Sequence, residues 1–311
     1  MSAPVSLWAA GGRDLSNNVE VLLESCADTA SAPKTLFHFT DCEGLIGILT
    51  TKVLRASLAT ALSDAAETKH AISRLCSLLR KERVKPKCFP AGLLCQFLER
   101  RRRIPGLADD SRAYVVSFCG ADEAIHWLHY GRSGTGVAIG FETAGLKANQ
   151  FSLCRVIYSQ ARQDELFGTL VDLVDKFVAE FAKKIGTVGF SDQAHASLDD
   201  VACHLTTMYL RLLAPRMKDP VFKSEDEWRL ISNEIWRPGE SEDPTRKTHF
   251  RSLGGRIVPF KEVEFEPLPV TEIVLGMSTP MQTDEQALAV LMENTLERTC
   301  PVRRSTVAVR P

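Results

Sequence analysis

The order of apolar and polar residues predicts short strands that are interrupted by two helical blocks. Apolar residues at helical spacing fill 65–103 and 163–217. Outside these blocks, strand character is concentrated in short segments bounded by turn residues. These segments are TLFHFT, VLRAS, YVVSFC, GVAIGFE, LCRVIYS, GRIVPFKEVEF and EIVLG. Because strands and helices of regular length do not alternate, we expect an α+β fold rather than a doubly wound parallel sheet.

The domain prediction divides the chain into a lead-in segment and one main domain. Residues 1–33 are mixed and rich in small residues, with one short helix expected near Val19–Cys26. Residues 34–311 are expected to form a single domain of catalytic type. In this domain the two helical blocks either cover a cleft or provide the surface that selects a target. Asp41 is predicted to cap a helix that follows the first strand.

Composition and charge restrict the classes of function. Of 311 residues, 44% are hydrophobic and 25% charged, which is typical of a globular protein with a substantial core. With 38 basic and 39 acidic residues, net charge does not favour a polyanionic partner. No apolar run reaches the length of a membrane span of about 18 residues, and the first residues lack the pattern of a secretory signal. We therefore expect a cytoplasmic protein.

The cysteines are predicted to be reduced, and no metal site is predicted. There are nine cysteines, scattered without a CxxC pair, which is typical of buried cytosolic thiols. Cys119, His126 and His129 are the nearest candidate ligands, but no second paired-ligand motif accompanies them.

The segment SEDEWRLI has two interpretations that the residues alone leave open. As a helix start, Ser224 and Glu227 would form a capping box, and Glu225 would pair with Arg229 one turn later. As a strand, alternation would place Glu225, Glu227 and Arg229 on one face, opposite the apolar residues. Two carboxylates beside a cation are an arrangement suited to acid–base catalysis.

Four further features are candidates for a site. His38 points opposite its two phenylalanine neighbours on a predicted strand, although a lone strand histidine is more often simply hydrogen bonded. Ser117 lies on the strand YVVSFC. Trp127 and Tyr130 lie on one side of a short helix, a spacing more common in a core than in a ligand platform. The cations Arg100–Arg103 end a helix, where they either complement the dipole or contact an acidic partner.

Taken in order, these motifs resemble a known bacterial family. From about Leu36 to Gly276 the chain resembles the family known as domain of unknown function 2971. The most specific parts of this resemblance are W-x-x-Y-G followed by G-V-A-I-G-F, and E-x-E-W-R-L. That family is similar to the ADP-ribosyltransferase fold, a split pair of small antiparallel sheets with an NAD-binding cleft. Two departures are that LSDAAE keeps only Asp64 and Glu67 of the usual turn, and that Cys119 replaces a hydroxyl residue.

The resemblance implies NAD-dependent ADP-ribosyl transfer or NAD hydrolysis. It favours the strand interpretation, with Glu227 stabilising an oxocarbenium-like sugar cation and Glu225 acting on the nucleophile. The cofactor-binding residues it implies are His38, Ser117, Trp127, Tyr130 and Arg229. The acceptor would be a protein, a nucleic acid or water, with Arg100–Arg103 as a first candidate for target contact. Such an activity would suit a bacterial toxin, effector or phage-defence protein.

Two other hypotheses remain. The same fold could serve as a non-catalytic module that senses a nucleotide or binds a protein, in which case nucleotide would bind intact. Alternatively, the two acids could bind a divalent metal in a nucleic-acid-processing enzyme, although no further Asp or His cluster lies near them in the sequence.

Overall fold

The described part of the chain forms ten strands and eight helices, which confirms the α+β prediction. The computed structural model describes residues 3–27, 31–61, 65–103, 113–186, 192–232, 247–253, 255–278, 284–296 and 299–307. The strands are β1 Thr35–Thr40, β2 Val53–Leu58, β3 Tyr114–Cys119, β4 Val137–Glu142, β5 Phe151–Arg155, β6 Glu227–Ser232, β7 His249–Leu253, β8 Arg256–Glu264, β9 Val270–Leu275 and β10 Val302–Arg304. The helices are α1 Ala3–Glu24, α2 Cys42–Thr51, α3 Ala65–Arg80, α4 Ala91–Arg103, α5 Ala124–His129, α6 Gln160–Gly186, α7 Asp192–Leu213 and α8 Asp284–Thr295.

These strands make one hydrogen-bonded sheet, whereas a split pair of small sheets was predicted. Its order is β10-β9-β4-β1-β3-β2-β8-β7, with β6 paired to both β3 and β5. Pairing is antiparallel throughout this sheet except between β9 and β10, which run parallel. The prediction of two separate sheets is therefore wrong, because β3 is hydrogen bonded to β1 and β2 on one edge and to β6 on the other.

Strand β3 is nevertheless the place where the sheet divides. One edge of β3 pairs with β6 over five residues, from Val115 to Cys119. The opposite edge pairs with β1 at Cys119 and with β2 at Val115 and Tyr114. Between these two pairings β1 and β2 diverge, and the ladder is interrupted beside Ser117. A backbone carbonyl in such a gap needs another partner.

The sheet separates two large hydrophobic cores, and a third, smaller cluster packs Phe37 and Phe39 with Trp127. On one face, α1, α3, α4, α6 and α7 pack together over Val115 of β3 and Ile231 of β6. On the other, Phe118 and Trp228 pack with residues of α2 and α8. Alternation along β3 and β6 then places Ser117, Glu227 and Arg229 on the face that the helical layer covers. The predicted helical blocks therefore lie over the candidate residues.

The N-terminal segment is more structured than the sequence suggested. Instead of a short helix near Val19–Cys26, α1 runs over 22 residues and packs on α6 and α7. Its residues Leu15, Val19 and Leu23 are each at most 3% exposed. The helix α1 thus docks on the main domain as part of the helical layer. In the described part of the chain, no helix combines the length and apolar character needed to cross a membrane.

Candidate functional site

The segment SEDEWRLI is neither a capping box nor one continuous strand. Residues Pro220–Glu225 form a 3-10 helix that Asp219 caps by accepting from the Val221 backbone N–H. Asp226 then takes a left-handed conformation (φ 39°, ψ 50°), and β6 begins at Glu227. The strand interpretation is confirmed for Glu227 and Arg229. It is wrong for Glu225, which lies before the turn rather than two residues along the strand.

The two glutamates are nevertheless brought together by a lysine that sequence reasoning missed. Lys218 Nζ lies 2.6 Å from Glu225 Oε2 and 3.2 Å from Glu227 Oε2. All three residues are buried, with 5%, 6% and 2% exposure for Lys218, Glu225 and Glu227. Buried charges of this kind are tolerated when they are paired and hydrogen bonded.

The position of Lys218 is set by main-chain contacts. Met217 forms a parallel bridge with Ile157 just after β5. Gln163, which is fully buried, donates from Nε2 to the carbonyls of Ile157 (2.7 Å) and Lys218 (2.8 Å). No periodic pattern in the sequence points to Lys218, because these contacts join the start of α6 to the segment after α7.

Arg229 forms the second half of the charge network. Its Nε and Nη2 donate to Glu227 at 2.7 and 2.8 Å, and its Nη1 and Nη2 donate to Glu67 at 2.6 and 2.5 Å. Nη1 also donates to the Pro215 carbonyl at 2.7 Å. Glu67, on α3, is one of the two residues kept in LSDAAE; Asp64 of that motif lies outside the described residues. The network therefore extends from β6 to the helical layer.

Glu227 is ionised despite its burial. Burial would raise the pKa of its carboxyl, but the charge and hydrogen bonds of Arg229 and the charge of Lys218 oppose this, and a hydrogen bond from Ser117 adds to their effect. Together they lower the pKa from 4.5 to about 2. The structure thus brings two predicted residues, Ser117 and Arg229, into contact with Glu227.

Cys119 and Tyr130 are neutral beside this network. Burial raises the pKa of both groups, and the charges of Glu227 and Glu225 raise it further. The Tyr130 hydroxyl donates to Glu225 Oε2 at 3.0 Å. Tyr130 is half-buried.

Trp127 does not join the site, although it was a candidate for stacking on a ligand. It is fully buried and packs edge-on against Phe39 at 4.9 Å between ring centroids. Its indole N–H donates to Asp122 at 2.5 Å. The core interpretation of this residue is correct, and Tyr130 is left as the aromatic candidate.

His38 is linked to the charge network through the backbone of β3. Its Nδ1 donates to the Ser117 carbonyl at 2.9 Å, which supplies the partner that the interrupted ladder lacks. Burial lowers the pKa of His38, the bond to Ser117 opposes this, and the charge of Arg251 lowers it further. The ring also packs edge-on against Phe118, on the sheet face opposite Glu227. His38 and Glu227 therefore meet Ser117 from its two sides.

The remaining predicted residues lie elsewhere. Arg100 is exposed near the end of α4, and the side chains of 101–103 lie outside the described set. Two surface cavities, of about 430 and 600 Å³, are lined by α1 with α6 and by residues around Pro267; neither is lined by Glu225 or Glu227. Because its charged side chains are all buried, the charge network is a closed arrangement under the helical layer.

Comparison with known proteins supports part of the family resemblance. Residues 126–230 match the model of a family described as protein of unknown function (DUF2971). The match spans α5 to β6 and includes Tyr130, Lys218 and Glu227, whereas His38, Glu67 and Ser117 lie outside it. No curated protein and no solved structure matches the chain.

Proposed function

We propose that this chain is an NAD-dependent ADP-ribosyltransferase or NAD glycohydrolase centred on Glu227. The observation that carries the proposal is the position of Ser117 between two candidate residues. Its carbonyl accepts from His38 and its hydroxyl donates to Glu227, at the place where β1 and β2 diverge. His38, Ser117 and Glu227 come from three distant segments, in the order that the resembled fold requires.

The chemistry needs a permanent negative charge at the sugar. As the C1′–N bond of NAD breaks, nicotinamide leaves with the bonding electron pair and the ribose becomes an oxocarbenium-like cation. A carboxylate with a pKa of about 2 is fully ionised at neutral pH and so would stabilise this cation without a protonation step. Attack at C1′ by water or a protein or nucleic-acid group completes the reaction, and Glu225 would take the proton of that nucleophile.

Lys218 makes the described arrangement a closed state of such a site. Its ammonium group lies between the two carboxylates that the proposal assigns to catalysis. A developing sugar cation would need the same position. NAD cleavage therefore requires that Lys218 move aside.

The other residues have roles that follow from their contacts. Because His38 Nδ1 donates to the Ser117 carbonyl from the sheet face opposite Glu227, the role we propose for His38 is to position the β3 backbone behind Glu227. Tyr130 is the group that would pack on nicotinamide. Arg229 holds Glu227 ionised rather than binding a diphosphate, since its guanidinium is already bonded to Glu227, Glu67 and Pro215.

The acceptor and biological role are extensions of this proposal. A protein, a nucleic acid or water would accept the ADP-ribose, and Arg100 is the described member of the basic run proposed for target contact. By depleting NAD or modifying an essential target, the protein would act as a toxin, an effector or a phage-defence protein.

The proposal is tested by incubating the purified chain with NAD in the absence of metal and following free nicotinamide. We expect release, either directly or after addition of a cell lysate that supplies an acceptor. Radiolabelled NAD then identifies the labelled molecule. If neither condition releases nicotinamide while NAD binding is measurable by calorimetry, the enzymatic proposal is wrong.

A second candidate is favoured by the closure of the network. Both acids are buried and ion-paired, an arrangement that also suits a module that binds a nucleotide or a protein without cleaving it. Such a module would bind NAD or a related nucleotide intact, and Glu227→Gln would change affinity alone.

A further inference from the structure

We propose that α3 and α4 hold a divalent transition metal of the zinc class, bound by Cys76, Cys95 and Glu99. The two thiol sulfurs and a carboxylate oxygen all lie within 4.8 Å of one another. In the described part of the chain this is the one group of three such side chains. Cys95 and Glu99 are one turn apart on α4, and Cys76 faces them from α3.

The donor set suits zinc more than a hard cation. Two thiolates and a carboxylate are ligands that Zn²⁺ accepts at about 2.0–2.3 Å in tetrahedral geometry. Ligand atoms in that geometry lie about 3.5–4 Å apart, and the three atoms here lie within 4.8 Å of one another, so small side-chain adjustments would complete the site. Three protein ligands leave the fourth position for water on the side of Glu99, whose side chain is 44% exposed.

Charge supports the same assignment. Arg80, on α3, forms an ion pair with Glu99. Two thiolates and one carboxylate bring three negative charges, and Zn²⁺ with Arg80 brings three positive charges. The occupied site would therefore be neutral at the edge of a hydrophobic core.

The two thiols are buried between the helices. Cys76 and Cys95 are 1% and 6% exposed, and the Cys76 sulfur lies 3.8 Å from the Cys95 carbonyl.

The experiment uses the full chain, stripped of metal with a chelator and titrated with Co²⁺ as a spectroscopic probe. We expect one equivalent to bind with a thiolate-to-cobalt absorption band, which one equivalent of Zn²⁺ then removes. Cys76→Ser and Cys95→Ser should lose the band. Glu99→Gln, an exposed change that leaves the core intact, should weaken Co²⁺ binding at least about tenfold.

The matched control is the double variant Cys42→Ser/Cys88→Ser, which removes two exposed thiols and should bind cobalt as the unchanged chain does. Absence of stoichiometric binding in the unchanged chain would overturn the proposal. So would a band that survives both core substitutions or that the control variant loses, an unaltered affinity in Glu99→Gln, or a Cys76–Cys95 disulfide detected by mass spectrometry.

Discussion

At the scale of single residues, the site is governed by the competition between burial and ion pairing. Burial alone would keep Glu227 protonated, as it does the nearby Cys119 thiol and Tyr130 hydroxyl. Arg229 and Lys218 reverse this for Glu227, and the carboxylate is ionised in the interior. The functional proposal depends on that negative charge.

The ionisation of Glu227 predicts a specific pH dependence of stability. The folded-state pKa of about 2 lies below the ordinary value of 4.5, so the unfolded chain binds more protons between these values. The stabilisation, about 3 kcal/mol, is fully present above pH 4.5 and is lost as the pH falls towards 2. Urea unfolding from pH 7 to pH 3 should show the larger part of this loss, and Glu227→Gln should show a smaller dependence. An identical pH profile for both would contradict the ionised state.

Lys218 is predicted to be essential for stability because it bridges two buried acids. Lys218→Met should lower the free energy of unfolding by about 3–5 kcal/mol, since it leaves two carboxylates without their shared cation. Removing one acid as well, in Lys218→Met/Glu225→Gln, should restore part of that loss. Denaturant unfolding measures both. A double variant less stable than the single variant would show that the lysine does not act through Glu225.

At the scale of secondary structure, α1 is predicted to be an integral part of the helical layer. Leu23 is 1% exposed and Val21, on the opposite face of the same helix, is 64% exposed. Leu23→Ala should cost about 2–5 kcal/mol of stability, whereas Val21→Ala should change it by less than about 0.5 kcal/mol. Thermal unfolding of the two variants checks this. Equal effects would mean that α1 does not dock as described.

Local patterns predicted most of these elements because each depends on neighbours in sequence. Apolar runs between turn residues located β1, β3 and β4, and Asp41 caps α2 through a bond to the Gly44 N–H. The strand β7 was missed because His249–Leu253 is largely polar and exposed, so neither periodicity nor apolarity distinguishes it from a loop. The length of α1 was missed because its glycines, serines and asparagines lower helix propensity.

At the scale of the whole molecule, the site combines segments that sequence proximity does not connect. Glu227 and Arg229 were identified from their strand, but Glu67 comes from α3 and Lys218 from the segment after α7. Long-range contacts of this kind leave no local pattern. The single sheet was also beyond local reasoning, because its unity depends on β3 pairing with β1, β2 and β6 at once.

The most direct test of the central claim compares Glu227→Gln with the unchanged chain and with Glu285→Gln, an exposed change on α8. Nicotinamide release and NAD affinity are measured for all three under the conditions in which the unchanged chain is active. We predict that Glu227→Gln lowers the rate at least about 100-fold with NAD binding retained, and that Glu285→Gln behaves as the unchanged chain. Equal rates for all three chains would contradict a catalytic Glu227.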